Sequence, residues 1–401
     1  MRIKKLKISV LMRSVLGLGI ALGFAAITGC GSHETKETSS GESAPEEVII
    51  ETDEEISPEL QFLDRMELTY AEQFAIDEYN DGYRLISISD GSRFLIVPEG
   101  EEIPAELDED ILALQQPLDH IYLVASAAMD MVCSLDAIDT VRLSGTESSG
   151  WYIEAAKEAM EQGDILYAGK YSAPDYELIL SEGCRLAVEN TMITHAPEVS
   201  EKLETFGIPV FIDYSSYESH PLGRVEWIKL YGALLGKEER AQELFLEQES
   251  DLKAASADEN TGKTVAFFFI TTNGAVNVRK AADYVPKMIE LAGGTYIFDA
   301  LEGSEGKSSS VTMQMEEFYA AAKDADYLIY NSSIDGEIHT IEELLGKSSL
   351  LEDFKAVQEG DVFCTTKNLY QESMAIGTLT KDIHSMLTGE TEDMEYLYQL
   401  E

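Results

Sequence analysis

Two short apolar runs, 83–89 and 93–97, are separated by Asp90, Gly91 and Ser92, a spacing that predicts a β-hairpin. An amphipathic stretch at 58–75 precedes it. From residue 120 the rhythm changes to short apolar runs alternating with helical periodicity. Strands are expected at 120–125, 140–143, 186–188 and 210–212, with helices at 128–135, 152–162, 172–181 and 197–206. Such alternation predicts βα units around a largely parallel sheet.

From 221 to about 255 the pattern stays helical, with Trp227, Tyr231, Leu234, Ala241, Phe245 and Leu252 on or near one stripe. A single helix of about 34 residues would run roughly 50 Å, as long as a domain is wide, so it is expected to brace two lobes. Pro221 suits its first turn. A second alternation follows: strands at 264–270, 327–330 and 362–365, and helices at 282–291, 315–322, 341–345 and from 376. The expected fold class is α/β: two Rossmann-like lobes joined by a single long bracing α-helix, with a leading β-hairpin. The first lobe spans 57–220, the linking helix 221–256 and the second lobe 257–401. No internal repeat relates the lobes. The picture stands on an unbroken helix from Trp227 to Phe245 and a groove between the halves.

The N-terminus sets the compartment. Residues 1–7 carry four basic side chains and 8–27 are apolar apart from Ser9, Arg13, Ser14 and small glycines, the composition of a secretory signal. The segment ends in Ile27-Thr28-Gly29-Cys30, which resembles the bacterial lipobox. That resemblance implies a signal peptide over 1–29 and diacylglycerol on the Cys30 thiol, anchoring the protein to the extracytoplasmic face of the cell membrane. Residues 30–56 are rich in Ser, Thr, Glu and Gly and read as a flexible tether.

Without the signal, 24 Lys and Arg stand against 75 Asp and Glu, a net charge of −51. Nucleic acid is excluded as a partner class on that charge. Besides Cys30 there are Cys133, Cys184 and Cys364 with no CxxC pair; they read as buried free thiols, or at most one disulfide, rather than a metal or redox site.

Four segments carry a family likeness by their order and spacing. They are 120–146, a strand, a Ser-containing turn and a helix; Tyr176-Glu177-Leu178-Ile179 ahead of 184–188; 219–236, which begins Ser219-His220-Pro221-Leu222-Gly223-Arg224; and 288–298, with Leu291-Ala292-Gly293-Gly294-Thr295-Tyr296. Together they are similar to the iron-siderophore and cobalamin type of ABC-transporter substrate-binding protein. The resemblance implies a monomer that binds a metal chelate (a ferric siderophore, haem or a cobalamin-like corrinoid) between its lobes and delivers it to a permease and its ATPase. The iron or cobalt is the ligand's, and no cofactor or catalysis belongs to the protein.

Ligands of open α/β sheets lie at the carboxyl ends of the strands. From the first lobe the candidates are Ser126, Met129, Trp151, Tyr152, Tyr171, Thr191 and His195, with Tyr214, Tyr217 and Arg224 near the start of the bracing helix. From the second lobe they are Asn277, Arg279, Tyr284, Asn331, Ser332, Lys367 and Tyr370. Aromatic faces suit a flat or chelated ligand, and Arg224, Arg279 and Lys367 suit its negative charge. The resemblance also implies one docking glutamate per lobe: Glu177 in the first, and Glu302 or Glu305 in the second because the position after Gly293-Gly294 is Thr295.

Two alternatives compete. A bare metal ion would need several converging ligands; His195 and His220 are available, but no His-rich loop is present. A lipid-anchored hydrolase would need a nucleophile or metal motif, and no GxSxG, HExxH or Walker pattern occurs.

Overall fold

The computed structural model of the protein describes residues 50–257, 259–301 and 309–401. The expected signal peptide, Cys30, most of the tether, Glu302 and Glu305 lie outside the described residues. Residues 50–56, expected at the end of the tether, instead lie along the globule. Arg65 donates to the carbonyls of Ile50 and Glu51 at 2.7 and 2.9 Å, and Ile56 is buried.

The expected hairpin exists, as Arg84–Ile88 paired antiparallel with Arg93–Val97, but it is the centre of a five-stranded sheet. Phe62–Arg65 and Phe74–Tyr79 join on one side, and Ile111–Gln115 pairs in parallel with Arg93–Val97 on the other. Both faces of this leading sheet are covered. Leu85, Leu95 and Val97 pack with Ile56 and Tyr79, whereas Phe74, Ile86, Phe94 and Ile96 belong to the main core. Two-sided burial explains why its central strands are apolar at nearly every position.

In the first lobe the sheet is wholly parallel, in the order Val210–Asp213, Leu186–Asn190, Ile121–Leu123, Val141–Ser144, Leu166–Tyr167. Strand order reverses between Ile121–Leu123 and Leu186–Asn190, which places a crevice at their carboxyl ends. The second lobe is mixed. Thr264–Ile270, Tyr327–Tyr330 and Val362–Thr365 run parallel, while Val276–Arg279, Ser310–Met313 and Leu397–Gln399 pair antiparallel at its flanks.

The single bracing helix does not survive. The chain forms Pro221–Leu235 and Glu238–Ala255, separated at Gly236, which sits in the left-handed region at φ 68° while the Lys237 N–H returns to the Gly232 carbonyl at 2.8 Å. A glycine at this position is the ordinary helix terminator, and Glu238 and Glu239 suit the next helix's first turn. The apolar stripe continues across the break because both helices bury a face in the same core.

Pro221–Leu235 is buried on all sides, so its one carboxylate, Glu226, and the buried Glu218 just before it must be satisfied by protein. Glu226 accepts from the backbone N–H groups of Thr69, Tyr70 and Ala71 at 3.1, 2.8 and 2.9 Å and pairs with Lys229 at 2.7 Å. Glu218, just before the helix, accepts from Glu72 and Gln73 at 2.8 and 3.0 Å and from the Trp227 indole at 2.8 Å. Each backbone N–H from Thr69 to Gln73 therefore ends on a buried carboxylate, which fastens the loop entering the leading sheet to the helix. Trp227 is fully buried against Phe74, ring centroids 5.0 Å apart.

Gly223 allows this approach: a Cβ there would stand 2.8 Å from the Tyr70 carbonyl and 3.2 Å from Glu218 Oε2. Gly to Ala inside a helix ordinarily stabilises by about 0.5–1 kcal/mol, but here the clash reverses the sign. Gly223→Ala is expected to cost about 1–3 kcal/mol in urea unfolding, and a gain in stability would show that the loop gives way freely.

Burial pushes the Glu218 carboxyl up to about 7, against the pull of its Trp227, Glu72 and Gln73 donors. A carboxyl raised above its unfolded value contributes stability at low pH that is lost as pH climbs through the folded value. The stability advantage of wild type over Glu218→Gln should therefore shrink by about 1–3 kcal/mol between about pH 5 and about pH 8. An advantage that grows over that range would contradict the assignment.

Candidate functional site

The carboxyl ends of the two sheets face each other across a cleft beside the first turn of Pro221–Leu235. Its inner part is a cavity of about 230 Å³. From the first lobe the wall is Ala125 to Ala127 after Ile121–Leu123, Asn190 to Met192 after Leu186–Asn190, and Asp213, Ser215 and Ser216 after Val210–Asp213. Asn190 is fixed by accepting from Met192 N–H at 2.9 Å, and Asp213 by accepting from Ser215 N–H at 2.8 Å and from the Tyr231 hydroxyl.

Arg224 enters from the helix, with its guanidinium 4.9 Å from the Tyr284 ring centroid and donating to the Tyr370 carbonyl at 3.3 Å. Arg279 comes from the strand Val276–Arg279 and donates to the Tyr370 hydroxyl and, at 3.1 Å, to Ser309 Oγ. Asp283 lies 3.4 Å from Arg279 and caps the helix Tyr284–Leu291 by accepting from Val285 N–H at 2.9 Å. Burial raises the Asp283 carboxyl, and the Arg279 charge pulls it back. The Tyr284 phenol is pushed by burial to about 12, so it stays neutral. Asn331 reaches the Tyr370 hydroxyl from behind at 2.9 Å.

An outer pocket of about 430 Å³ shares Ser126 and Tyr370 with the inner one and adds Tyr152, Ser332, Ser333, Lys367 and Gln371. One second-lobe segment crosses to the first lobe here. Gln371 accepts from Tyr152 N–H at 2.9 Å and donates to the Gly150 carbonyl at 2.8 Å, Ser373 Oγ donates to the Ala127 carbonyl at 2.9 Å, and Met374 N–H donates to Asp130 at 2.7 Å. Burial pushes the Asp130 carboxyl to about 6.

Of the residues expected at the cleft, the structure brings Ser126, Thr191, Arg224, Arg279, Tyr284 and Tyr370 to the inner cavity, and Tyr152, Ser332 and Lys367 to the outer pocket. Lys367 is already paired with Glu337 at 3.2 Å. Asn331 stands one bond behind. The others are corrections. Met129 is fully buried on the core side of its helix, Trp151 is buried with its indole donating to Ser144 Oγ at 3.1 Å, and Tyr214 is buried edge-on to Tyr217. Tyr217 packs against the main core and Tyr171 against the outer layer of the first lobe. His195 is exposed away from both pockets, and Asn277 is held mid-strand by Ser310 and Thr312. His220 caps Pro221–Leu235, its Nδ1 accepting from Leu222 N–H at 3.1 Å, and stacks on Tyr70. Cys133, Cys184 and Cys364 are free thiols. Sequence reasoning missed Asn190, Asp213 and Ser215, although each sits at or just past a strand end, the same signal that found Ser126.

Among the described residues no helix is long and apolar enough to cross a membrane. An uncharacterized lipoprotein of Methanocaldococcus jannaschii is 24% identical over 383 residues, 90% of this chain and 89% of its own. A second uncharacterized lipoprotein of that organism is 24% identical over 347 residues, 82% of this chain and 86% of its own. Among solved structures, a periplasmic heme binding protein from Pseudomonas aeruginosa superposes with a TM-score of 0.56 at 15% identity, over 71% of this chain and 98% of that one. An ABC-type Fe3+-hydroxamate transport system from Saccharomonospora viridis gives a TM-score of 0.54 at 18% identity, over 67% and 93%. These likenesses establish a shared fold. Residues 144–369 match the model of the periplasmic binding protein family, a span that holds three of the five strands of the first lobe's sheet, the buried helix and the second lobe through Leu369, and the chain belongs to that family.

Proposed function

We propose that this protein is the extracytoplasmic substrate-binding component of an ABC importer, held to the membrane by a lipid on Cys30, and that it carries a metal chelate in the cleft between its lobes. The observation that carries the reading is the pair of pockets meeting at Ser126 and Tyr370, walled from both lobes and set at the carboxyl ends of parallel strands, where open α/β sheets hold ligands. The unbroken helix from Trp227 to Phe245 on which the sequence picture also stood is removed by the turn at Gly236, so the groove alone now supports the reading.

Phenol faces at Tyr152, Tyr284 and Tyr370, together with the Arg224 and Arg279 guanidiniums, suit a flat ligand of negative charge. The names of the solved relatives, heme binding and Fe3+-hydroxamate transport, support the choice of chelate class. Ferric siderophores, haem and corrinoids are the candidates. The role is binding and delivery, with the permease and its ATPase as partners.

Titration with a panel of ferric siderophores, haem and cobalamin is expected to give micromolar or tighter 1:1 binding to at least one, read by native mass spectrometry or by quenching of Trp151 beside the outer pocket. A panel that fails throughout would remove the chelate reading. Glu177 is exposed in the first turn of Tyr176–Ser181, capped by Asp175, and exposed ion pairs orient partners more than they tighten them. Glu177→Arg is accordingly expected to leave ligand affinity unchanged and to lower uptake by cells carrying the cognate permease; undiminished uptake would take Glu177 out of docking.

A further inference from the structure

We infer that Gln371 is a positioning residue for the ligand: its side-chain amide, clasped on the backbone of the first lobe, sets the gap between the Tyr152 and Tyr370 phenols at the outer pocket and so limits the bulk of the chelate admitted. The inference rests on the ligand-binding role proposed for the cleft and concerns the size of what the cleft takes.

Gln371 lines the outer pocket and commits both ends of its amide to the other lobe. It accepts from Tyr152 N–H at 2.9 Å and donates to the Gly150 carbonyl at 2.8 Å, partners 219 and 221 positions away in the chain. Tyr152 N–H can only donate and the Gly150 carbonyl can only accept, so the pair demands one acceptor and one donor from the same side chain. Glutamine supplies both. A glutamate would set a carboxylate against the Gly150 carbonyl, and an apolar side chain would release both backbone groups.

The two phenols are held in different ways. The Tyr370 hydroxyl is met by Arg279 and, at 2.9 Å, by Asn331, and its ring packs against the main core, so the second lobe fixes it. Tyr152 is 44% exposed, too little covered for packing to hold its ring. Its place comes from its backbone, between the Gln371 amide and the buried Trp151, whose indole donates to Ser144 Oγ at 3.1 Å. Gln371 follows Tyr370 in the chain and is braced by its own N–H on the Asn368 carbonyl at 2.8 Å. One side chain thus ties the exposed phenol to the anchored one. The clasped space of about 430 Å³ lies near the lower end of the roughly 300–1,000 Å³ spanned by small-molecule sites, which suits a compact chelate better than a corrinoid.

The test uses the whole protein with Gln371→Ala, the near-isosteric Gln371→Met, and Ser373→Ala, which removes the neighbouring bond to the Ala127 carbonyl and leaves the amide clasp. Without ligand, hydrogen exchange at the Tyr152 amide should be about tenfold faster in both Gln371 variants than in wild type, and unchanged to within about twofold in Ser373→Ala. Calorimetric titration then compares ferric acetohydroxamate, a ferric trihydroxamate siderophore and cobalamin. Wild type should favour the compact chelates, and the Gln371 variants should shift the affinity ratio toward the bulkier ones by about tenfold, a change that lost stability alone does not produce. Gln371→Met carries the test by itself if Gln371→Ala does not fold. The inference is overturned if the Tyr152 amide exchanges equally in wild type and the Gln371 variants, if all chelates lose affinity by one common factor, or if Ser373→Ala shifts the ratio as far. Failure of every chelate with wild type would remove the chelate reading itself, and the exchange result would still decide the clasp.

Discussion

Pro221–Leu235 can be buried on every side only because Glu226 and Lys229 find partners inside the protein. The backbone N–H groups of Thr69 to Gln73 close on Glu226 and Glu218, and Lys229 closes on Glu226. With those charges satisfied, the other buried side chains of the helix are apolar apart from Arg224 at the cleft and the Tyr231 hydroxyl, which bonds Asp213. The leading sheet packs through Phe74 on Trp227, and Trp227 contacts Phe211 of the first lobe's sheet. The two lobes and the leading sheet consequently share one continuous core.

The cleft inherits its geometry from this arrangement. Arg224 stands in the first turn of the buried helix, so its backbone is as constrained as that of Trp227 one turn later. Across from it, Arg279, Asp283, Tyr370 and Asn331 form a hydrogen-bonded row in which each side chain is held by the next. Polar groups in such a row are oriented before any ligand arrives, which lowers the cost of ordering them on binding. The segment from Tyr370 to Met374 reaches the first lobe by four hydrogen bonds, and Tyr370 and Met374 also pack against the main core.

Legibility in the sequence followed the locality of the signal. Thr264–Ile270, Tyr327–Tyr330 and Val362–Thr365 are found where dense apolar runs place them, because a strand covered on both faces has no polar alternation to confuse its limits. The flanking strands Val276–Arg279 and Ser310–Met313 are not among the expected strands, since Asn277, Arg279 and Thr312 give them a polar face and pairing with each other and with Thr264–Ile270 makes them strands. At the cleft, position after a strand found Ser126, Arg279 and Tyr370 but also selected Met129, Trp151 and Tyr214. Sequence position names the loop without saying which of its side chains turn toward solvent and which turn back into the core.

The βα alternation, the two lobes and the strand ends where a ligand would be held were determined by the sequence alone, because they depend on periodicity over a few residues. Gly236, Lys237 and Glu238 carried a local stop signal as well, and the apolar stripe on either side hid it. Tertiary structure decided where the chain turned, that a five-stranded sheet stood where a hairpin was read, and which charges had partners. Whether a buried carboxylate such as Glu226 is satisfied depends on backbone N–H groups 155 to 157 positions away in the chain, and only folding brings them within reach.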